Sequence, residues 1–412
     1  MRVGPARPLM LGATLAVALV SAVACGGTAP TNASNPNTNG TGGTGGTGGT
    51  QLPGIAECKL PTTGSGRGVY LGFPRRPNGL KTIGTVNVGV AMVDFPDAVA
   101  TKTAQAAFNM ISPGAVDFFA AASYGQMNLV LTPTLRWDRM SKASTGYGMT
   151  RATITFASQK AYATEALTLA SRTLDFSNAD AFVVLTNPDA SVIDLGPTFT
   201  PDPGSGITIS GRTMESGVTS GYDLNFWGPH WLNHEMGHAT GLVDLIDFNP
   251  GTLNRDHWTG TFSIMTEINA LAPMYFAWEA WQSGWIADAQ ITCAPAATTT
   301  TVTLTPIEDA GGMKAVIIPT GKYSAIVVES RRAKGLDYQL TRGGPLVYLV
   351  NTDIGSQNPN GLGLIKVLPL DDADYTKVSK LLSPDQSVTY AGVTVKFQSL
   401  TGGNDVIAVT RP

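Results

Sequence analysis

The chain has 412 residues, more than one hydrophobic core usually serves, which fits two domains with appended segments. Hydrophobic residues make up 43% of it, which excludes a wholly disordered chain. The net charge of −3 argues against a nucleic-acid partner, which would require a basic face for phosphate contacts. Only 14% of the residues are charged, so we expect Thr, Ser, Gly and Asn to replace charged residues at the surface. This composition is common in exported proteins.

Residues 1–24 have the pattern of a signal peptide. Arg2 and Arg7 give a positive start, and residues 9–24 form an uncharged, mostly apolar run that ends in small residues. This run is shorter than the roughly 20 residues that a membrane-spanning helix needs. We therefore expect export to the extracellular space or to the cell-envelope surface.

Cys25 directly follows the predicted signal peptide. Residues 22–25 (AVAC) resemble the lipobox of bacterial lipoproteins, although the third position before the cysteine is usually leucine and here is Ala22. We favour lipidation of Cys25, because it would remove an exposed thiol from an oxidising compartment. The alternative is ordinary cleavage that releases a soluble protein. Residues 25–56, rich in Gly and Thr, then form a flexible linker.

The folded region is expected to begin near Cys58 and to mix helices with strands. Before residue 295, apolar patterns predict strands at 86–95, 128–135 and 181–185, and helices at 104–122 with a break at Pro113, 152–173 and 275–285. A loop rich in Gly, Pro, Ser and Thr is predicted over 196–221. After Cys293 the chain consists of short strand-like runs separated by turns, without a convincing helix. This pattern predicts a β-sandwich, with strands at 298–306, 314–319, 323–330, 345–351, 363–369, 388–398 and 404–410.

Cys58 and Cys293 remain as a pair of cysteines. In an exported protein such a pair favours a disulfide over a metal site. The bridge would tie the start of the folded region to the end of the first domain. It would stabilise the fold by about 2–4 kcal/mol.

Residues 234–244 (HEMGHATGLVD) are the most informative segment for chemistry. His234 and His238 are four residues apart, so on a helix both imidazoles face one metal ion. Glu235 lies beside them and can take a proton from water at the metal. Gly241 suits the end of the helix, and the turn can bring Asp244 back as a third ligand. Three protein ligands with one open position are typical of a catalytic zinc site.

Four other side chains near this segment have less specific interpretations. His230 precedes Glu235 on a different helix face and is interpreted as structural or as a support for a ligand. His257 could be a third ligand or stabilise an oxyanion, but we favour a surface-loop histidine. Glu267 and Glu279 could supply the third ligand in a thermolysin-like scheme, which the HxxGxxD pattern disfavours.

Met265, in residues 263–266 (SIMT), has the position of a Met-turn, where a methionine forms the apolar floor of a metal site. With HExxHxxGxxD, this arrangement resembles the immune inhibitor A family of secreted bacterial zinc metallopeptidases. The resemblance covers roughly residues 85–290, with weaker similarity to about 370. It includes three further segments: 93–97 (VDFPD), 118–126 (FFAAASYGQ) and 273–286 (PMYFAWEAWQSGWI).

The resemblance implies a zincin-like, metzincin-type catalytic domain, which we place at 57–295. The strand pattern predicts the β-sandwich-like region at 296–412 after it, so the expected fold class is α+β. The resemblance also implies endopeptidase activity on protein or peptide substrates, with one catalytic Zn²⁺, and we expect a monomer. By matching positions it implies His234, His238 and Asp244 as ligands and Glu235 as the base.

The chain departs from many relatives of that family in the loop after the helix. They read Gly-Leu-Pro-Asp where this chain has Val243 before Asp244, so the loop loses rigidity but keeps the carboxylate. Asp247 is a second carboxylate that could replace Asp244 or bind Ca²⁺, for which no clear motif exists. We favour Asp244.

Two other functions compete with a protease. A narrow-specificity or non-proteolytic zincin could act as a cell-wall amidase, and an inactive one could serve as a surface binding protein. Every residue that hydrolysis requires is present, so we favour the endopeptidase, acting on an extended peptide bound along a strand edge.

Overall fold

The computed structural model describes residues 54–63, 69–247, 258–294, 299–354, 363–370 and 380–411. The predicted signal peptide, Cys25, most of the predicted linker and His257 lie outside these residues. Residues Gln51–Pro412 form one compact unit. Among the helices of the described residues, none combines the length and apolar character needed to cross a membrane.

Helices and several β-sheets are mixed along the described chain, as the predicted α+β class requires, whereas the zincin-like catalytic domain stays a prediction. The helices are α1 (Ile55–Cys58), α2 (Ala104–Phe108), α3 (Gly114–Ala122), α4 (Phe156–Ala170), α5 (Leu224–Trp227), α6 (Pro229–Ala239) and α7 (Ala277–Gln282). The strands are β1 (Gly84–Asp94), β2 (Met127–Pro133), β3 (Asp138–Arg139), β4 (Ala181–Thr186), β5 (Thr198–Phe199), β6 (Ile207–Ile209), β7 (Arg212–Met214), β8 (Gly217–Thr219), β9 (Ile291–Cys293), β10 (Thr299–Leu304), β11 (Ala315–Gly321), β12 (Ser324–Arg331), β13 (Gly344–Asn351), β14 (Ile365–Val367), β15 (Ser387–Tyr390), β16 (Val393–Thr401) and β17 (Asn404–Thr410).

The first sheet has the strand order β2-β1-β4-β8-β5, with β3 paired to β1. Strands β2, β1, β4 and β8 are parallel, and β5 is antiparallel to β8 at the edge. Successive side chains of β1 point to opposite faces, as in any strand. Val88 and Val90 join the core that contains α3 and α6, whereas Ala91 and Val93 join a second core against α4. The sheet is therefore buried on both faces.

The segment predicted as a loop over 196–221 contains four short strands, so that prediction was wrong in part. Strands β5 and β8 complete the first sheet, and β6 and β7 form a separate hairpin. Each has only two or three residues, too few for an apolar alternation to be visible in the sequence. Strand β5 contacts α6, the helix that carries the central motif.

Two further sheets follow, with orders β14-β13-β12-β11-β9 and β10-β17-β16-β15. They enclose an apolar core to which Val316 and Val328 contribute from one sheet and Val395 and Val409 from the other. The strand predicted at 388–398 is instead a hairpin of β15 and β16. It turns at Ala391, where φ is +49°.

The five-stranded sheet also faces the first part of the molecule. Ile317 and Val327 belong to the same core as Trp278 of α7. The residues next to them along β11 and β12 face the four-stranded sheet instead. One continuous core thus crosses the boundary that the sequence predicts near residue 295. The division into a catalytic and a β-rich domain stays a prediction.

The predicted disulfide is present. Cys58 and Cys293 are bonded, with their Cα atoms 5.9 Å apart and a sequence separation of 235. Cys58 ends α1 and Cys293 ends β9, the edge strand that pairs in parallel with β11. The bridge fastens the start of the described chain to the five-stranded sheet.

Candidate metal centre

Helix α6 carries the central motif and ends directly after it. Pro229 occupies its first turn, where a missing N–H removes no helical hydrogen bond. At the other end, Gly241 has φ +105°, a conformation that side-chain-bearing residues rarely adopt, and its amide donates to the carbonyl of His238. The chain therefore reverses after one turn and returns Asp244 towards the helix.

Three side chains converge at the end of α6. The Nε2 atoms of His234 and His238 lie 3.1 Å apart, and each is 3.3 Å from Oδ1 of Asp244. The Nδ1 atom of His234 donates to the carbonyl of Ile264 at 2.8 Å, and that of His238 donates to the carbonyl of Leu242 at 2.9 Å. Because a carbonyl only accepts, each Nδ1 carries a proton, so Nε2 is the ring nitrogen left to bind a metal ion at the centre.

Electrostatics couple these groups strongly. Burial favours the neutral form of Asp244, but the positive charge of His238 and hydrogen bonds from both imidazoles outweigh it and hold the pKa of Asp244 far below its usual value. Burial lowers the pKa of His238, yet the carboxylate of Asp244, with a smaller contribution from Glu235, raises it to about 9. The opposite charges of His238 and Asp244 therefore attract each other across the cluster.

Within the described parts of the chain, His234, His238 and Asp244 are the one group found whose ligand atoms could hold a metal ion, all lying within 4.8 Å of one another. Two imidazole nitrogens and one carboxylate oxygen form a set that suits zinc, whereas Ca²⁺ and Mg²⁺ prefer oxygen ligands alone. The side chain of Asp244 is 27% exposed, so solvent reaches the centre from its side.

The alternative ligands lie elsewhere. Asp247 is buried but outside the group of three, and Glu267 is exposed. Glu279 is buried on α7, where it accepts hydrogen bonds from other partners. The Nδ1 of His230 lies 3.0 Å from the carbonyl oxygen of Ile268 and so contacts the backbone that follows the turn of Met265.

Glu235 lies next to the cluster, and its side chain is fixed by a residue of the first sheet. Its Oε2 accepts a hydrogen bond from the backbone N–H of Thr198 at 2.8 Å and lies 2.6 Å from the Thr198 hydroxyl. No sequence pattern indicated Thr198, because it lies in the segment predicted as a loop. Only the pairing of β5 with β8 brings it to α6.

Met265 lies directly beneath the motif helix. It is fully buried, and a Cβ added at Gly237 would be only 2.6 Å from its sulfur. The amide of Leu245, just after Asp244, donates to the carbonyl of Met265 at 3.0 Å. The methionine thus lies against α6 between the two histidines, and its carbonyl is hydrogen-bonded to the loop of the third side chain, while its role as a Met-turn residue stays a prediction.

Glu279 supports the turn that contains Met265. Ser263 has φ +68°, and its hydroxyl donates to Oε2 of Glu279 at 2.8 Å. The same oxygen accepts from the amide of Phe276 at 2.8 Å. Burial raises the pKa of Glu279 to about 7, against the opposing effect of these hydrogen bonds. A carboxyl group with such a pKa titrates near neutral pH.

The segment after the turn is held by residues of the β-rich region. Arg331, fully buried, donates to the carbonyls of Met274 and Tyr275, each at 3.1 Å. Its charge is balanced by Glu329 and Asp337, each 2.6 Å away. Asp337 also accepts from the amide of Met274 at 2.9 Å. This ionic network joins the five-stranded sheet to the surroundings of the candidate metal centre.

Comparison with known proteins assigns no family to the chain. No protein-family model matches the sequence, and no curated protein matches it.

Proposed function

We propose that the protein is an exported, zinc-dependent endopeptidase, with His234, His238 and Asp244 as zinc ligands and Glu235 as general base. The observation that carries the proposal is the convergence of three ligand atoms within 4.8 Å beside a fixed glutamate, on the residues of an HExxHxxGxxD motif. A bound zinc ion would supply Lewis-acid activation of a water molecule and of the scissile carbonyl.

Each residue of the cluster has a separate role in this proposal. The carbonyls of Ile264 and Leu242 orient the two imidazoles, and Asp244 adds a negative charge that offsets the charge of the metal. Glu235 accepts a proton from water as the peptide carbonyl is attacked, and then transfers it to the departing amine. Solvent access beside Asp244 supports the entry of water and substrate.

The fold also supports an extended peptide as substrate. Strand β5 is the edge of the first sheet, and its Thr198 contacts Glu235 directly. A peptide would pair with this sheet edge through backbone hydrogen bonds beside the Thr198 amide, which Glu235 already occupies, and such bonds do not depend on the side chains of the substrate. A peptide bound there would lie beside the proposed base.

The first experiment measures casein hydrolysis and zinc content together. The exported chain and its Glu235→Gln variant should both bind about one zinc ion, as expected for three-ligand catalytic sites, and only the wild type should hydrolyse casein. Zinc binding without proteolysis would favour a cell-wall amidase, which release of peptides from peptidoglycan would test. Absence of zinc from the wild type would refute the proposal.

A matched pair of variants tests the third ligand. Asp244→Asn should weaken zinc binding by more than about 100-fold, because it removes the charged ligand atom itself. Asp247→Asn changes a buried carboxylate outside the cluster and should bind zinc like the wild type. The reverse result would assign the role to Asp247.

A further inference from the structure

The contact between Thr198 and Glu235 is asymmetric. Both donors of Thr198 reach a single oxygen, Oε2, with the amide at 2.8 Å and the hydroxyl at 2.6 Å. The hydroxyl also lies 2.7 Å from the backbone carbonyl of Glu235, but the charged carboxylate is the stronger acceptor for its one proton. Oε1 is thereby left as the oxygen that can take a proton.

The amide of Thr198 points away from its own sheet. Thr198 pairs with Val218 across β5 and β8, while the amide of Thr219 donates to the carbonyl of Pro197 at 3.1 Å. Hydrogen-bonded and non-hydrogen-bonded pairs alternate along an antiparallel ladder. The N–H of Thr198 therefore faces the open edge, where Glu235 accepts it.

The residue before Thr198 is fixed from two further elements. The carbonyl of Pro197 accepts from Nε2 of Gln159 on α4 at 2.9 Å, in addition to its bond with Thr219 of β8. The proline ring restricts its own φ, and it also restricts Gly196 before it. Little backbone freedom remains at this point of the strand.

Gly196 fastens the same strand to the motif helix. Its carbonyl accepts from Nε1 of Trp231 on α6 at 2.8 Å, and its amide donates to Asp223 at 2.9 Å. A Cβ at Gly196 would lie 2.6 Å from Nε1 of Trp231, so no larger residue fits without displacing the helix. The strand and α6 thus form one rigid support, with Thr198 at its end.

We propose that Thr198 is the positioning residue for the general base. It holds Glu235 by Oε2 on a rigid strand edge and leaves Oε1 for proton transfer. This inference rests on the proposed function. It adds that the productive orientation of Glu235 depends on a hydroxyl group outside the HExxH helix, because supporting hydrogen bonds hold a reacting group close to its productive geometry.

Steady-state kinetics on the zinc-loaded, exported chain test the proposal. Thr198→Val keeps the backbone N–H and the shape of the side chain but removes the hydroxyl, so kcat should fall roughly 10- to 100-fold with KM changed less than about twofold. Thr198→Ser restores the hydroxyl and should recover most of kcat. A silent Thr198→Val, or a Thr198→Ser as impaired as the valine variant, would overturn the positioning role.

A double-mutant cycle separates positioning from a general structural effect. In a Glu235→Ala background no carboxylate remains to be positioned, so Thr198→Val should cause no further loss of the residual rate. An equal fold-loss in both backgrounds would show that Thr198 acts through the strand rather than through Glu235. That outcome would refute the proposal.

A measurement that does not need activity distinguishes this inference from the proposed function. In protein labelled with ¹⁵N-threonine, the Thr198 amide resonance is identified by its loss in Thr198→Ser. Glu235→Gln should shift it upfield, because the amide loses a charged acceptor. If the resonance shifts but the wild type hydrolyses no protein, the proposed function fails and the contact stands. If the wild type is active and the resonance does not move, the positioning role fails alone.

Discussion

Replacing Glu279 with Gln should remove a pH-dependent weakness from the fold. Glu279 is fully buried, and its Oε2 accepts two hydrogen bonds, from Ser263 and from the amide of Phe276. Its Oε1 has no hydrogen-bond partner among the described residues. A buried oxygen without a partner favours a protonated carboxyl group, and burial is the main reason that the pKa of Glu279 rises from 4.5 to about 7.

The sign and size of the effect follow from this pKa. The folded protein holds the proton more tightly than the unfolded chain, so the contribution of Glu279 to stability is fully present below pH 4.5 and is lost as the pH rises through 7. Ionising this group in the folded state costs about 3 kcal/mol more than in the unfolded chain. Between pH 5 and pH 8, the free energy of unfolding should fall by about 2–3 kcal/mol on account of Glu279 alone.

Urea unfolding at several pH values measures this contribution as a difference between variants. Glu279→Gln has no ionisable group at this position. The difference between its free energy of unfolding and that of the wild type should therefore rise by about 2–3 kcal/mol from pH 5 to pH 8. The exposed Glu267→Gln serves as the matched control and should follow the wild type. A constant difference between Glu279→Gln and the wild type at all pH values would refute the reasoning.

Two further changes test the disulfide and the close approach beneath the motif helix. Replacing Cys58 and Cys293 with Ser should lower the free energy of unfolding by about 3–5 kcal/mol, because the bridge closes a very long loop, and reductant should lower the wild type similarly; an unchanged urea midpoint would contradict this. Gly237→Ala gains helix propensity, but its Cβ would lie 2.6 Å from the buried sulfur of Met265. We expect thermal unfolding to show a free energy of unfolding lower by about 1–2 kcal/mol, together with weaker zinc binding. A stabilised variant with normal zinc affinity would show that the Met265 side chain moves aside without cost.

Local patterns predicted the parts of the fold that depend on local physics. Strand β1 overlaps the β-branched, apolar run predicted as a strand at 86–95, and helix α4 lies within the Ala-rich segment predicted as a helix at 152–173. The disulfide followed from the pairing of two cysteines, without knowledge of the fold. Strands β5 to β8 were missed, because segments of two or three residues form strands only when neighbouring strands supply their hydrogen bonds.

The candidate site divides in the same way. The convergence of His234, His238 and Asp244 follows from helical spacing and a glycine turn, both visible within eleven residues of sequence. The support of Glu235 by Thr198 depends on sheet pairing between distant segments. No spacing rule connects these two residues, so the sequence could predict the reacting groups but not what holds the base in place.

The bonds of Arg331 and Asp337 to the backbone of Met274 also have a consequence for biosynthesis. A chain is made from its N-terminus, so the motif helix emerges well before these two side chains exist. A nascent chain that stops short of residue 331 lacks both partners of Met274, so the segment after the turn of Met265 is not yet held in place. The order of synthesis therefore delays completion of the proposed active site until most of the chain has left the ribosome.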